Sequence, residues 1–359
     1  MTMSGVTSSA SSPPTPPSPA KSERSEETEP TRRTRRPALS PGQLAERYTL
    51  PALAVAVAVF FSLYPPSAAV FPTSANLSVV TGNQSVIALL ALAALAPLAA
   101  GYFDFSLGAN AATSSLVCAA LMARHGVGVV PAVLAAVATG VLIGLVNGIM
   151  VARFQMSSFI TTLGSATLLG GVIQWYSGGQ TISAGVSPAL LDFGSEQWLG
   201  LPRVVSVVVV LGALMWYLLG HTPYGRALYA MGSNPRAANL VGIRVRRNLL
   251  LTFVIAGALA GIAGVLQTAR VGGATADSGT SLLFPALAAV FLGATAIEPG
   301  RFNVLGTMIG VVFVSETVSG LTLAGASDWV DPVFNGAALL LAVGLSTYFG
   351  RRRAAGAAV

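Results

Sequence analysis

Glu316 stands midway along an apolar run, in Val-Ser315-Glu-Thr317-Val-Ser319, and is the most unusual chemical group in the chain. A carboxyl at membrane depth is costly, so it faces a cavity or pairs inside a helix bundle. Two readings stay open: a protonated or hydrogen-bonded structural residue, or a group lining a pathway, which in a secondary transporter would couple protons. Asp104, in Gly101-Tyr-Phe-Asp-Phe-Ser-Leu-Gly108, lies where one apolar run ends and the next begins. Locally it reads as a helix N-cap with glycine on either side. Uncharged polar residues follow within the runs: Asn110, Thr113 and Ser114, then Asn147, then Thr161 and Thr162. Hydroxyls and amides suit a polyhydroxylated neutral ligand better than an ion, and each also suits a hydrogen bond between helices. There is no paired-carboxylate site, no Ser-His-Asp arrangement and no H-E-x-x-H, so an enzyme is a weak reading. His125 and His221 share no ligand-spaced partner and Cys118 is the sole cysteine, which leaves no metal site.

A second group of residues has another character. The stretch Tyr224–Ile243 is polar and glycine-punctuated between two long apolar segments. Arg226, Arg236, Arg244, Arg246 and Arg247 crowd into it and its exit, in a chain with 9% charged residues. A cationic loop between membrane spans is expected on the cytoplasmic side, and one this particular suggests a docking site. The only lysine is Lys21, near the N-terminus. A phosphate-binding loop of the G-x-x-x-x-G-K-[ST] type is therefore impossible in the apolar body. Any ATP energy must enter from another subunit.

The elements that position these residues follow from hydropathy. A mean hydropathy of +0.70 and 53% hydrophobic residues place the chain among polytopic membrane proteins. Apolar runs near 48–64, 84–101, 107–123, 127–150, 157–177, 203–220, 248–268, 283–297, 303–323 and 332–349 predict an all-α integral membrane protein of about ten transmembrane helices. The run 283–297 is the shortest and reads equally as a half-span. Residues 1–46, rich in Ser, Thr, Pro, Glu and Arg, predict a disordered tail. The membrane domain is expected over 47–350, with the loop 224–245 within it and a basic tail over 351–359. With the N-terminus inside, an even span count returns Arg351-Arg352-Arg353 to the cytoplasm, so both termini are predicted cytoplasmic. The same alternation puts Arg153 and Arg301 inside and gathers Asp192, Glu196, Asp277, Asp328 and Asp331 outside with Arg124, Arg203 and Arg270. The net charge of +7 thus sits at span ends and near lipid headgroups, not on a nucleic-acid-binding face. Gly140, Gly144 and Gly148 recur every four residues, as do Gly257 and Gly261, the spacing that lets helix backbones approach in lipid.

Five segments in order resemble the inner-membrane permease subunits of ribose- and xylose-type ABC sugar importers. Gly101–Gly108 is similar to that family's G-x-D-L-S-V-G, with Asp104, Ser106 and Gly108 matching. Gly144-Leu-Val-Asn-Gly-Ile-Met-Val151 and Ser158-Phe-Ile-Thr-Thr-Leu-Gly164 resemble its N-G-x-x-V and P-x-F-I-x-T-L-G segments. The stretch 222–238 is similar to T-x-x-G-R-x-x-x-A-x-G-x-N-x-x-A-A, and Leu292–Thr295 with Val304–Thr307 to the G-G-T and V-x-G-T of the C-terminal half. The resemblance implies a coupling helix in the cytoplasm, docked on an ABC ATPase subunit through Gly225, Arg226, Gly232, Asn234, Arg236, Ala237, Ala238 and Gly242. It also implies a second permease subunit, identical or not, and an extracellular or periplasmic sugar-binding protein. ATP and Mg would belong to the ATPase, with no cofactor in this chain, and the location would be the plasma (inner) membrane. Phe105, Ser157 and the sequence Glu298-Pro299-Gly300 depart from the family pattern, so ribose itself is not implied. A branched-chain amino-acid or nucleoside permease of the same superfamily is the alternative.

Overall fold

The computed structural model describes residues 41–198, 200–275 and 278–356; Asp277 and the predicted tail as far as residue 40 lie outside them. Among these residues the fold is almost wholly helical. The first helix, α1 (Pro41–Leu63), opens ahead of the boundary predicted at residue 46, with proline at its first position and the helix formers Gln43, Leu44, Ala45 and Glu46 in its first turns. A single turn, α2 (Pro65–Ala68), leads to α3 (Ser74–Ala99), α4 (Leu107–His125), α5 (Val129–Ala152) and α6 (Ser158–Ser177). The connection to the next long helix holds α7 (Pro188–Ser195) and a two-stranded antiparallel hairpin, β1 (Gln197–Trp198) with β2 (Leu201–Pro202). Then come α8 (Arg203–His221), the short α9 (Pro223–Ser233) and α10 (Pro235–Leu240), α11 (Val245–Val271), α12 (Ser278–Gly293), α13 (Val304–Leu323) and α14 (Val330–Gly356). Each predicted apolar run falls on one long helix. Five of these, α3, α5, α8, α11 and α13, are long and apolar enough to cross a membrane by length and composition.

Burial explains the arrangement. From Ser85 to Ala99 every residue of α3 is buried. A helix apolar on all sides belongs at the centre, and α11, α12, α13 and α8 surround this one. Hydropathy placed the start of this span at 84, because Asn76, Ser78, Thr81, Asn83 and Gln84 mask the first turns. Thr73 caps those turns by accepting from the Asn76 amide at 3.2 Å. The predicted glycine approach joins α5 to α11. A Cβ on Gly257 would stand 2.4 Å from the Gly140 carbonyl oxygen, and one on Gly144 2.2 Å from that of Phe253. Backbones in direct contact gain dispersion along the whole crossing, and no larger residue fits.

At one end of the bundle the connection 178–202 folds down onto the helices. Arg270 donates to the Gly194 carbonyl (2.8 Å) and to Asn83 Oδ1 (2.7 Å). Gln197 donates to Ser78 Oγ, and Arg203 pairs with Glu196 at 2.5 Å. Arg124 lies over the Tyr176 ring at the same end of α4 and α6.

Candidate functional site

The arginine-rich stretch folds as two short helices wedged against the bundle. Thr222 and Asn234 set their starts: Thr222 Oγ1 accepts from the Gly225 amide, and Asn234 Oδ1 from the amides of Arg236 and Ala237. Prolines occupy the first position of both helices. The inward face of α9 carries Gly225, Leu228 and Met231, all buried. A Cβ on Gly225 would meet the Leu219 carbonyl oxygen at 2.1 Å, and one on Gly232 the Ala99 carbonyl oxygen at 2.3 Å. Ala238 is buried in the same core. Gly225 thus admits the chain's own α8, and Gly232, itself exposed, admits α3 on its inner side. Arg226, Asn234, Arg236, Ala237 and Gly242 are exposed, and beside them Leu240 (88% exposed) and Val241 (76%) stand in the open.

Two tyrosines tie this wedge to other helices, and neither was singled out from the sequence. Tyr229 donates to the Phe302 carbonyl at 2.6 Å, under the Arg301 guanidinium 3.6 Å from its ring centroid. Tyr224 lies 2.9 Å from Thr252 Oγ1; since Thr252 donates to Asn248, the tyrosine donates here. Asn303 caps α13 through the Gly306 amide while donating to the Ala296 and Arg301 carbonyls, which fixes the turn beneath Tyr229. A displacement of α9 therefore reaches α3, α8, α11 and the α12–α13 turn together.

The uncharged polar residues meet inside the bundle. Ser165 donates to Asn147 Oδ1 (2.5 Å), Asn147 donates to Ser106 Oγ (2.8 Å), and Ser106 donates to Asp104 Oδ1 (2.6 Å). This directed chain runs from α6 through α5 to the α3–α4 connection, and such chains strengthen one another. Thr162 Oγ1 accepts from the Phe105 amide, adding a second tie to α6. Asp104 is not the N-cap: α4 begins at Leu107 with Ser106 in that position, and the Asp104 carboxylate bridges both the amide and the hydroxyl of Ser106. Burial pushes this carboxyl up to about 6, and the hydrogen bonds from Ser106 oppose that rise. Gly108 meets the Gly279 carbonyl oxygen, 2.1 Å from where its Cβ would stand, so the motif's glycine admits α12.

Asn110 donates to the Gly140 carbonyl, Ser114 to Asn110, and Thr113 to Ala109. The Thr161 hydroxyl is buried without a hydrogen-bond partner. All these side chains are buried, but of them only Asn110 joins two helices, α4 to α5; Thr113 and Ser114 bond within α4. Glu316 is elsewhere. It opens into an apolar groove of about 480 Å³ between α1 and α13, lined also by Ala54, Ala58, Ser62 and Val312. Its Oε2 is buried and unpartnered. The open face that sequence reasoning missed lies on α6. Ile160, Gly164, Thr167, Gly171 and Trp175 line a shallow groove of about 830 Å³, and Trp175 is 82% exposed. Its residues recur every three or four positions, but a helix apolar on two faces does not reveal which one its own bundle covers.

Among the described residues the chain is an almost wholly helical bundle with a wedge of short helices at one end, the frame of a membrane transport permease. The chain belongs to the family of branched-chain amino acid transport system / permease components, which it matches over residues 50–343. It is 33% identical over 303 residues to the ribose import permease protein RbsC of Escherichia coli K12, covering 84% of this chain and 93% of the relative. It is 34% identical over 262 residues to the galactofuranose transporter permease protein YtfT of the same organism, 73% of this chain and 76% of that one. With the D-allose transport system permease protein AlsC, also of E. coli K12, it shares 29% over 293 residues, 82% and 89% of the two chains. No solved structure matches.

Proposed function

We propose that this chain is the membrane-spanning subunit of an ATP-driven ABC importer for a monosaccharide or related polyol. The observation that carries the reading is the α9–α10 wedge, exposed outward through Arg226, Arg236, Leu240 and Val241 and packed inward on four parts of the bundle. Apolar side chains ringed by arginine are what an ATPase groove with acidic margins takes up. Movement of that ATPase pushes the wedge. Contacts at Ala99, Leu219, Thr252 and Phe302 then carry the movement into the spanning helices. ATP and Mg belong to the ATPase, and an extracellular binding protein delivers the sugar. All ten long helices span the plasma membrane, with both termini and the wedge in the cytoplasm. A second permease subunit covers the exposed face of α6, whose Gly164 and Gly171 leave room for close approach. Sugar is favoured as cargo by the names of the relatives, which carry ribose, allose and galactofuranose.

The test is reconstitution of the chain in proteoliposomes with its ATPase and binding protein. Uptake of a labelled monosaccharide that requires ATP is expected. Uptake of leucine in its place would favour the branched-chain alternative. Accumulation by the chain alone under a proton gradient would overturn the reading.

A further inference from the structure

Where α10 meets the first turn of α11, the surface sinks into a depression of about 560 Å³. Arg236, Asn239, Arg244, Arg246, Arg247 and Gln155 line it. Gln155 comes from the α5–α6 connection, where it holds a left-handed backbone (φ 56°). The two ion pairs found among the described residues, Arg203–Glu196 and Arg301–Glu298, involve none of these arginines. Four of the lining residues are arginines and none is acidic, so an anion suits the hollow. Arginine also forms paired hydrogen bonds to phosphate that a lysine does not.

The surroundings say which anion. The hollow lies at the mouth of α11, an apolar helix long enough to cross a membrane, and so at headgroup level. Phe154 (69% exposed) and Met156 flank Gln155, and Leu251 stands one turn below Arg247. Charge thus sits directly beside exposed apolar surface, the arrangement that suits a molecule with an anionic head and an acyl tail. We propose that this depression binds the phosphate of an anionic phospholipid, with its acyl chain along the Phe154–Met156 edge. The bound lipid clamps α10 to α11 and to the α5–α6 connection, which steadies the wedge. The proposal rests on the membrane reading of the helices and not on the cargo.

Full-length chain is reconstituted in nanodiscs of phosphatidylcholine with or without phosphatidylglycerol. Thermal unfolding is recorded, and lipid retained after detergent release is counted by native mass spectrometry. Phosphatidylglycerol is expected to stay bound and to raise the melting temperature. Arg246→Gln and Arg247→Gln are each expected to weaken retention about fivefold, the size of one arginine's attraction to an anionic surface. Arg124→Gln, outside the hollow, is expected to leave it unchanged. Because multiple neutralisations risk misfolding, wild-type retention is also followed against salt, where a steep fall is expected. Equal retention in wild type and the two variants would overturn the proposal. So would full stabilisation by millimolar inorganic phosphate in phosphatidylcholine, which would mark a site for a soluble anion. Displacement of the lipid by purified ATPase would assign the hollow to a protein partner and sink the lipid reading.

Discussion

The carbonyl oxygen of Ala99 occupies the space a side chain on Gly232 would need, 2.3 Å from where its Cβ would stand. The end of α9 thereby bears directly on the end of the central helix α3, which then turns into the Asp104 motif. Conversely, a Cβ on Gly101 would stand 3.3 Å from the Gly232 Cα. Force applied to the wedge meets the buried core without a flexible side chain between them.

Gly232→Leu should therefore lift α9 from α3 while leaving the exposed arginines in place. Overpacking of this kind costs about 1–3 kcal/mol, which a bundle of this size survives. The ATPase is expected to co-purify and hydrolyse ATP while uptake falls at least tenfold (order of magnitude). Arg236→Glu is expected to do the opposite and lose the ATPase. Unchanged uptake in Gly232→Leu would remove the lever assignment.

Asp104 predicts a pH dependence. Its carboxyl is raised from 3.8 to about 6 by burial, so the fold favours the protonated form. This contribution, worth about 3 kcal/mol from a shift of roughly two units, is whole below about pH 4 and lost as pH rises through about 6. Asp104→Asn keeps an oxygen for both Ser106 donors and removes the titration. Melting temperature between pH 4.5 and 7.5 should fall with rising pH in the wild type and flatten in the variant. Parallel curves would contradict it.

Asn147 joins α5 to two other elements. Asn147→Leu leaves the half-buried Ser165 hydroxyl without its acceptor and removes the donor to Ser106 Oγ, which keeps its bond to Asp104, at a cost of about 1–3 kcal/mol. Stability should drop while the relative uptake of competing sugars stays constant, the expected result for a side chain whose bonds join helices. A change of sugar preference without loss of stability would return it to the pathway.

Glu316→Gln should leave ATP-driven uptake within about twofold of wild type, since the side chain faces an apolar groove between α1 and α13 and a neutral amide fits where a buried carboxyl oxygen sits. Abolished uptake, restored by Glu316→Asp, would revive a proton-coupled role.

Much of this was legible from local sequence. The apolar runs, the Gly140–Gly148 spacing and the proline and asparagine starts of α9 and α10 each act within a few turns of chain. So does the missing lysine, which denies the membrane body a phosphate loop whatever its fold. What a side chain faces is different, because it depends on helices far apart in sequence. Thr161, Thr162 and Asn147 read from sequence as either pathway groups or helix–helix contacts, and only the packed bundle shows Asn147 bonded to Ser106 and Ser165, and Thr162 to Phe105. Gly232 read as a docking position; the tertiary structure adds that it is exposed yet has Ala99, distant in the chain, where a Cβ would stand. Glu316 looked central by its depth, yet depth along a helix does not give azimuth around the bundle. The sequence alone determined that this is a helical membrane protein with a cationic cytoplasmic-type loop, because continuous apolar runs of span length satisfy their backbone in lipid as helices. Only the tertiary structure decided which polar groups hold the helices together and which remain open, because that depends on how helices rotate to bury one another.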